Sequence, residues 1–530
     1  MKASLLPGRR LPGTGRWRYR ISRAILLLAA AAVGFGLVLP ARAHVGGKDV
    51  FEQIDTGPYK LLVTVRMPNV IPGVATVEIR SSAAEVTAIR ITPLPLTGEA
   101  AKHPPASDPM QRSVEDPGFF TGSIWLMTSG PWQVRMQVEG PAGPATAGVP
   151  VAAMPLSILP MQRSLGGILA VLGLILTLGM AGIVAAAVRE ARLMPGIVPT
   201  PARRRRAWIA SLATLALLIV AVLAGDRWWK VEAAHYAANI YRPSDLHLAL
   251  YGDTLDVTVG DENVKQRRWK AYSTDEFLLD HGHIMHLYAI RFPEMDAAFH
   301  LHPEPVSETQ LATVLPAMPA GEYKVFADVV YRNGFPETLT SELTVPPGLP
   351  PAPLSPEDAS ASPPALASTA LGPVYKLPDG YSMVWERPAG ITAGTAYVFR
   401  FHLLDRSGHP AADMQPYLGM AGHAAFVKTD GTAFAHTHPE GSAAMPSMML
   451  ANQSLTYPGG AGLASGDDAL GEMGGMAHDE DHGAAHTTAQ AISPNVEFPY
   501  GFPSSGRYRI FVQMKHGGVV ETGVFDADVQ

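Results

Sequence analysis

Phe299-His300-Leu301-His302-Pro303-Glu304 decides the reading of this chain, because nearly the same string returns as Phe434-Ala435-His436-Thr437-His438-Pro439-Glu440. The match extends to both sides. Upstream lie His286 and His423, with Gly282-His283 and Gly422-His423 read as the same strand start. Downstream, Gly321-x-Tyr323-x-x-Phe326 and Glu337-Thr338 reappear as Gly506-x-Tyr508-x-x-Phe511 and Glu521-Thr522. Such self-similarity predicts two copies of one domain.

Alternate side chains of a β-strand share a face, so His300 and His302 point the same way, as do His436 and His438. A third imidazole from a neighbouring strand, His286 in one copy and His423 in the other, completes a three-nitrogen site without unusual backbone geometry. Neutral imidazole suits copper, zinc and nickel. Met420, beside His423, adds a soft candidate ligand, with core packing the equal alternative. Surface histidines beside the turns set by Pro303 and Pro439 are the competing structural reading.

Working outward, residues 1–43 combine Lys2 and several arginines with an apolar run from Ala24 to Leu39 and end in Ala41-Arg42-Ala43. That pattern predicts a cleaved signal peptide. Cleavage after Ala43 would leave His44 as the first residue, whose amine and imidazole can chelate copper as a histidine brace. Two apolar spans, 164–188 and 207–224, are long enough to cross a bilayer. The arginine-rich loop between them, 189–206, is expected on the cytoplasmic side.

The charge balance fits an exported body. The formal net charge is −6, and the signal segment carries eight basic and no acidic residues, which leaves −14. The loop sets six arginines against Glu190, so the remainder carries −19. A surface of that sign attracts cations and repels nucleic acid, which is not an expected partner. All eighteen histidines lie outside the signal, the spans and the loop. The chain has no cysteine, which rules out disulfides, thiolate copper sites, iron–sulfur clusters and cysteine zinc sites.

The predicted fold is all-β, with three immunoglobulin-like β-sandwich domains outside the membrane plus two transmembrane helices. The first domain, 44–160, is expected to use strands Tyr59–Met67, Ala75–Arg80, Val86–Ile91, Gly122–Met127 and Trp132–Glu139. A juxtamembrane connector, 225–245, carries Trp228, Trp229, Tyr236 and Tyr241, aromatic residues suited to the headgroup region. The first histidine repeat spans 246–345. A Pro/Ala/Ser linker, 346–370, reads as an extended spacer that lets the repeats move independently. The second repeat, 371–530, contains an insertion at about 441–493 with Met445, Met448, Met449, Met473 and Met476 and with His478, His482 and His486, read as a flexible metal-collecting loop.

The stretch Asp405–Glu440, with Asp405-x-x-Gly408-x-Pro410, Tyr417-Leu418-Gly419-Met420-x-Gly422-His423 and Phe434-x-His436-x-His438-Pro439, resembles the YtkA-like bacterial domains. The resemblance implies immunoglobulin-like sandwiches in exported or membrane-tethered proteins, often linked to copper handling. The first domain, with His44-Val45-Gly46-Gly47, Gly57-Pro58-Tyr59, Val70-Ile71-Pro72-Gly73 and Trp125-Leu126-Met127-Thr128, is similar to the N-terminal part of large bacterial membrane proteins of that group. More weakly, it is similar to the periplasmic copper-resistance protein C family, whose mature chains begin with histidine.

These observations predict a non-enzymatic, membrane-tethered periplasmic protein of the bacterial inner membrane. It is expected to bind copper, with zinc or nickel possible, and to buffer it or pass it to a partner protein. The expected ligands are His286, His300 and His302 in one site and His423, His436 and His438 in the other. The alternatives are a structural or assembly protein of a membrane complex and a copper oxidoreductase built on a His44 brace. No catalytic nucleophile, phosphate loop or carboxylate pair stands out.

Overall fold

The computed structural model describes residues 48–82, 86–194, 196–263, 268–350, 352–368, 370–456 and 492–530. His44, the signal segment and His478, His482 and His486 lie outside the described residues, as do Met473 and Met476.

Strict alternation builds the first sandwich. In Tyr59–Arg66 the side chains of Tyr59, Leu61, Val63 and Val65 are fully buried, and Ala75, Val77 and Ile79 do the same in Gly73–Ser81. These strands belong to a five-stranded sheet that also holds Val50–Thr56, Phe119–Leu126 and Gln111–Arg112. The facing sheet contains Ala88–Pro95, Gly130–Glu139, Ala145–Ala153 and the short Asp108–Pro109. One apolar core lies between them.

Two helices follow, α1 (Arg163–Glu190) and α2 (Pro201–Ala238). Each contains an apolar window of mean hydropathy 2.6 or 2.5, and in each such window only 6% is buried against protein. Both are long and apolar enough to cross a membrane. They extend past the spans expected from sequence: Arg203–Arg206 form the first turns of α2 behind the Thr200 cap, and Trp228, Trp229 and Tyr236 ride on its last turns. The far end of α2 is tied down where the Tyr236 hydroxyl accepts from the Ile71 amide at 3.3 Å.

Each histidine repeat is again two sheets around a core. The inward sheets are the ones that carry the histidines. In the first repeat this sheet contains β1 (His286–Arg291), β2 (Ala298–Leu301), β3 (Gly321–Tyr331), β4 (Pro336–Val345) and β5 (Ala359–Ala361). In the second it contains β6 (His423–Lys428), β7 (Phe434–Thr437), β8 (Gly506–His516) and β9 (Val519–Val529).

The two inward sheets are buried on both faces. Leu287 and Ala289 point into the first repeat's own core, whereas Tyr288 and Ile290 point out into a separate cluster shared with Ala425, Val427, Phe434 and Phe511 of the second repeat. Phe326 and Phe434 stack across the junction with centroids 4.5 Å apart and rings 5° from parallel. His286, His300 and His302 have the parity of Tyr288 and Ala298, and His423, His436 and His438 that of Ala425 and Phe434. The histidine faces therefore meet one another rather than solvent.

This docking overturns the expectation of independent repeats. The linker is part of the sheet: β5 pairs with β2 through Ala361–Ala298, Ser360–Phe299 and Ala359–His300. At the far end of the junction the fully buried Arg509 donates to Asp526 Oδ1 at 2.8 Å, to the Met295 carbonyl at 2.8 Å and to the Pro364 carbonyl at 2.9 Å.

Part of the insertion is also ordered. Met445–Thr456 forms α3, which docks by Ser447 Oγ donating to the Gly334 carbonyl at 2.9 Å and by the Gly148 amide donating to Asn452 at 3.4 Å. The segment before it pairs with the first sandwich, where Gln53 N donates to the Glu440 carbonyl and Ser442 N to that of Phe51. All three sandwiches thus meet beside His438.

Removing one partner of a buried, multiply bonded ion pair costs about 3–5 kcal/mol. Arg509→Ala in the detergent-solubilised chain is therefore expected to lower the urea unfolding midpoint clearly and to open the 346–370 linker to protease. An unchanged midpoint and cleavage pattern would show that this clamp does not hold the repeats together.

Candidate metal centre

Two equivalent tight turns set the register of the site. Asp280-His281-Gly282-His283 closes with Asp280 N donating to the His283 carbonyl at 2.8 Å and the reverse bond at 3.0 Å. Tyr417-Leu418-Gly419-Met420 closes in the same way at 2.8 and 3.0 Å. The central pairs have φ of +53° and +90° at His281 and Gly282, and +50° and +79° at Leu418 and Gly419. Positive φ at both central positions is the type I′ pattern, which favours glycine and strains His281 and Leu418. Gly282 therefore corresponds to Gly419 and not to Gly422, and the expected strand-start alignment is shifted accordingly. His286 and His423 both follow five residues after the strained position.

The first triad is complete within the first repeat. His286 Nδ1 lies 3.1 Å from His300 Nε2 and 3.2 Å from His302 Nε2. The opposite nitrogen of each ring has an acceptor. His286 Nε2 donates to the Asp280 carbonyl at 3.1 Å, and His302 Nδ1 donates to Asp358 Oδ1 at 3.0 Å. His300 Nδ1 donates to Gln513 Oε1 at 2.9 Å, with the Tyr417 hydroxyl also at 3.2 Å. With the outer N–H groups so engaged, three bare lone pairs face one point. A metal bound at the usual 2.0–2.1 Å would set such nitrogens about 3.3–3.6 Å apart, a shift of a few tenths of an ångström. Outer acceptors of this kind fix the tautomer and raise ligand basicity at metal sites.

Two of the three supports, Asp358 and Gln513, come from outside the repeat that they serve. Asp358 is carried by the linker immediately before β5, and its carboxylate also accepts the His302 amide at 3.2 Å. Gln513 lies on β8 of the second repeat, and in exchange Asp328 on β3 of the first lies 3.4 Å from His436 Nδ1. In their own sheets His286 is paired with Asp328 and His423 with Gln513, so the exchange is reciprocal.

The second triad differs from the expected one. Its three candidate ligand nitrogens, mutually within 4.8 Å, belong to His281, His423 and His438. His281 comes from the first repeat. His436 stands between the triads, its ring 5.1 Å from His286, 5.3 Å from His423 and 4.8 Å from His438. Five buried ring nitrogens here, His281 Nε2, both of His423, His436 Nε2 and His438 Nε2, have no hydrogen-bond partner among the described residues.

His283 lies at the rim, stacked on His302 at 4.2 Å and bonded to Glu304 and Glu357 at 2.9 Å each. Met420 occupies the corresponding turn position in the second repeat and is buried. His103 is exposed beside Glu99.

Sequence spacing missed His281, Asp358, Gln513 and Asp328. The recurrence of a Gly four residues before the histidine of a Met–His or Gly–His strand start offers a signal for His281 once the turn is recognised. Nothing in local sequence marks the other three, which arrive from distant strands.

Burial is the main cause of the site's electrostatics. It pushes the imidazoles of His286, His300, His423 and His438 well below their ordinary range, and neighbouring imidazoles act in the same direction. His281 is pushed down to about 4 for the same reason. His302 is lowered too, with Asp358 opposing. Burial raises the Asp280 carboxyl to about 7. These rings are neutral at neutral pH, as metal ligation requires.

A family described as a domain of unknown function, DUF8832, matches residues 375–459 and 468–530, which is the second repeat. Comparison with curated proteins finds no match. Among solved structures, dimeric latent PorU from Porphyromonas gingivalis is similar at 8% identity and a TM-score of 0.14, over 91% of this chain and 34% of its own. Salmonella alpha-2-macroglobulin is similar at 7% identity and a TM-score of 0.18, over 92% of this chain and 24% of its own. The chain thus spans about a third or less of these proteins, and at such scores the likeness carries no argument.

A histidine whose folded pKa is depressed contributes stability fully above its unfolded value and loses it as pH falls. Six of the buried rings have this sign. Asp280, raised from 3.8 to about 7, has the opposite one and loses its contribution as pH rises across that window. The metal-free chain is therefore expected to lose thermal stability as pH drops from about 6.5 towards 4, the six site imidazoles outweighing Asp280 and the raised carboxyls of Asp49, Glu52, Glu440 and Glu521 elsewhere. A melting midpoint that stays level over that range would contradict neutral, buried rings.

Proposed function

We propose that this chain is a membrane-tethered, exported metal-binding protein without enzymatic activity, which holds copper and buffers it or passes it to a partner protein. One observation carries the reading. His286, His300 and His302 turn three nitrogens to a common point while Asp280, Gln513 and Asp358 engage their opposite nitrogens. Three converging lone pairs in a dry pocket repel one another unless a cation lies between them. The inner nitrogens of this triad lie 3.1 and 3.2 Å apart, and beside it both nitrogens of His423 and the Nε2 atoms of His436 and His438 are buried with no hydrogen-bond partner among the described residues, which hydrogen-bonded structural histidines would not leave.

The donor set is all imidazole, which copper, zinc and nickel accept, and copper stands highest in the general affinity order of divalent ions. The acidic rim of Glu304 and Glu357 around His283 suits capture of a cation before it enters. The two long apolar helices support membrane tethering, and the sequence pattern of residues 1–43 supports export to the periplasm of a bacterium. We read the three sandwiches as immunoglobulin-like on the resemblance described above.

The test is titration of the purified, detergent-solubilised chain with Cu(I), Cu(II) and Zn(II) by calorimetry and chelator competition. Wild-type protein should bind tightly, with copper preferred. Substitution of His286, His300 and His302 together by Asn should abolish binding at that triad. Asp358→Asn, which keeps the ring in place but weakens its acceptor, should cost 10–100-fold in affinity, the usual effect of losing an outer-shell partner. Equal, weak binding by all three proteins would favour the assembly-protein reading instead.

A further inference from the structure

We infer that the two triads are halves of one dinuclear copper centre closed across the junction of the repeats, with His436 as a shared fourth ligand. The inference rests on the metal-binding reading and goes beyond it in stoichiometry, oxidation state and the residues that build the second half.

The second half cannot form within one repeat. His281, held by the strained turn of the first repeat, reaches His423 and His438 of the second, with ring centroids 5.3 and 4.8 Å apart. Its nitrogens carry the signature expected of empty ligands: His423 is fully buried with both nitrogens unpartnered, and His438 Nε2 is buried and unpartnered among the described residues. The halves adjoin directly. His286 lies 6.1 Å from His281 and 6.3 Å from His423, and His300 lies 6.3 Å from His423, all between ring centroids.

His436 belongs to neither triad and touches both. Asp328 lies beside its Nδ1, which leaves Nε2 bare, buried and unpartnered. A neutral imidazole has one lone pair for a metal, so His436 serves one ion at a time and can change allegiance between them.

Charge selects the occupant. Two ions this close repel in proportion to the product of their charges, which is four times larger for a divalent than for a monovalent pair. Imidazole ligands bring no negative charge of their own, and the carboxylates beside the seven rings are those of Asp280, Asp328 and Asp358. The centre therefore accepts two Cu(I) ions but fills only half with Zn(II) or Cu(II).

Stoichiometry of the full chain in detergent is the deciding measurement, made by anaerobic chelator competition for Cu(I) and by calorimetry for Zn(II). Wild-type protein should bind two Cu(I) and one Zn(II), a comparison that needs no variant. His281→Asn in the first repeat and His423→Asn in the second should each remove the same second Cu(I), and His436→Asn should weaken it at least tenfold without removing the first. Protease resistance of the linker checks that each variant still docks. One Cu(I), lost in His300→Asn and unchanged in His281→Asn, overturns the dinuclear centre and leaves the metal-binding reading standing. Two Cu(I) that survive His281→Asn would mean independent sites within each repeat and also overturn it. Binding of neither metal overturns both readings.

Discussion

The docking of one histidine repeat against the other is the constraint on which the rest of this structure depends. Each inward sheet presents apolar side chains on both faces, so a single sandwich would leave one of those faces in water. Tyr288, Ile290 and Phe326 are covered only because Ala425, Val427, Phe434 and Phe511 lie opposite. Burying apolar area at about 25 cal/mol per Å² makes that junction a second core rather than a hinge. The Arg509 clamp at one end and the histidines at the other are both consequences, since polar groups caught in such a junction must find partners there.

Because the histidines lie at the edge of this second core, they are dry. Dryness holds the rings neutral and leaves their lone pairs uncompensated, so the same burial that stabilises the junction prepares it for a cation. The linker contributes to the site as well as to the fold. By pairing as β5 it carries Asp358 to His302, and the preceding Glu357 to the rim beside His283. The exchange of Gln513 and Asp328 between the repeats makes the orientation of the histidines depend on docking, so a metal bound at the proposed centre would be thermodynamically linked to repeat association.

Much of the fold was legible from alternation alone. The strands around Tyr59–Arg66, Gly73–Ser81 and Gly130–Glu139 follow the period-two pattern, and the two apolar helices follow from length and composition. The parity of His300 with His302 was also readable, because it depends only on strand geometry, whereas it took the sheet register, with Tyr288 opposite His300, to put His286 rather than His283 on their face. Where the reading departed from the structure, the cause was tertiary. The Pro/Ala/Ser composition of 346–370 describes a chain with weak preferences of its own, and an open sheet edge at β2 gave it a place to pair. Met445–Thr456 became helical where the first sandwich and Gly334 offered a surface.

The division between sequence and structure follows from the range of the forces involved. Side-chain alternation, duplication of the His-x-His strings, hydropathy and the lack of cysteine are local or compositional, and by themselves they determined sandwich-like sheets, two apolar helices and imidazole as the available ligand. The grouping of those imidazoles is not local. His281 joins His423 and His438, and His436 is left between the triads, only because two sheets separated by more than a hundred residues pack face to face. A strand's period says which way a side chain points, but not what stands opposite.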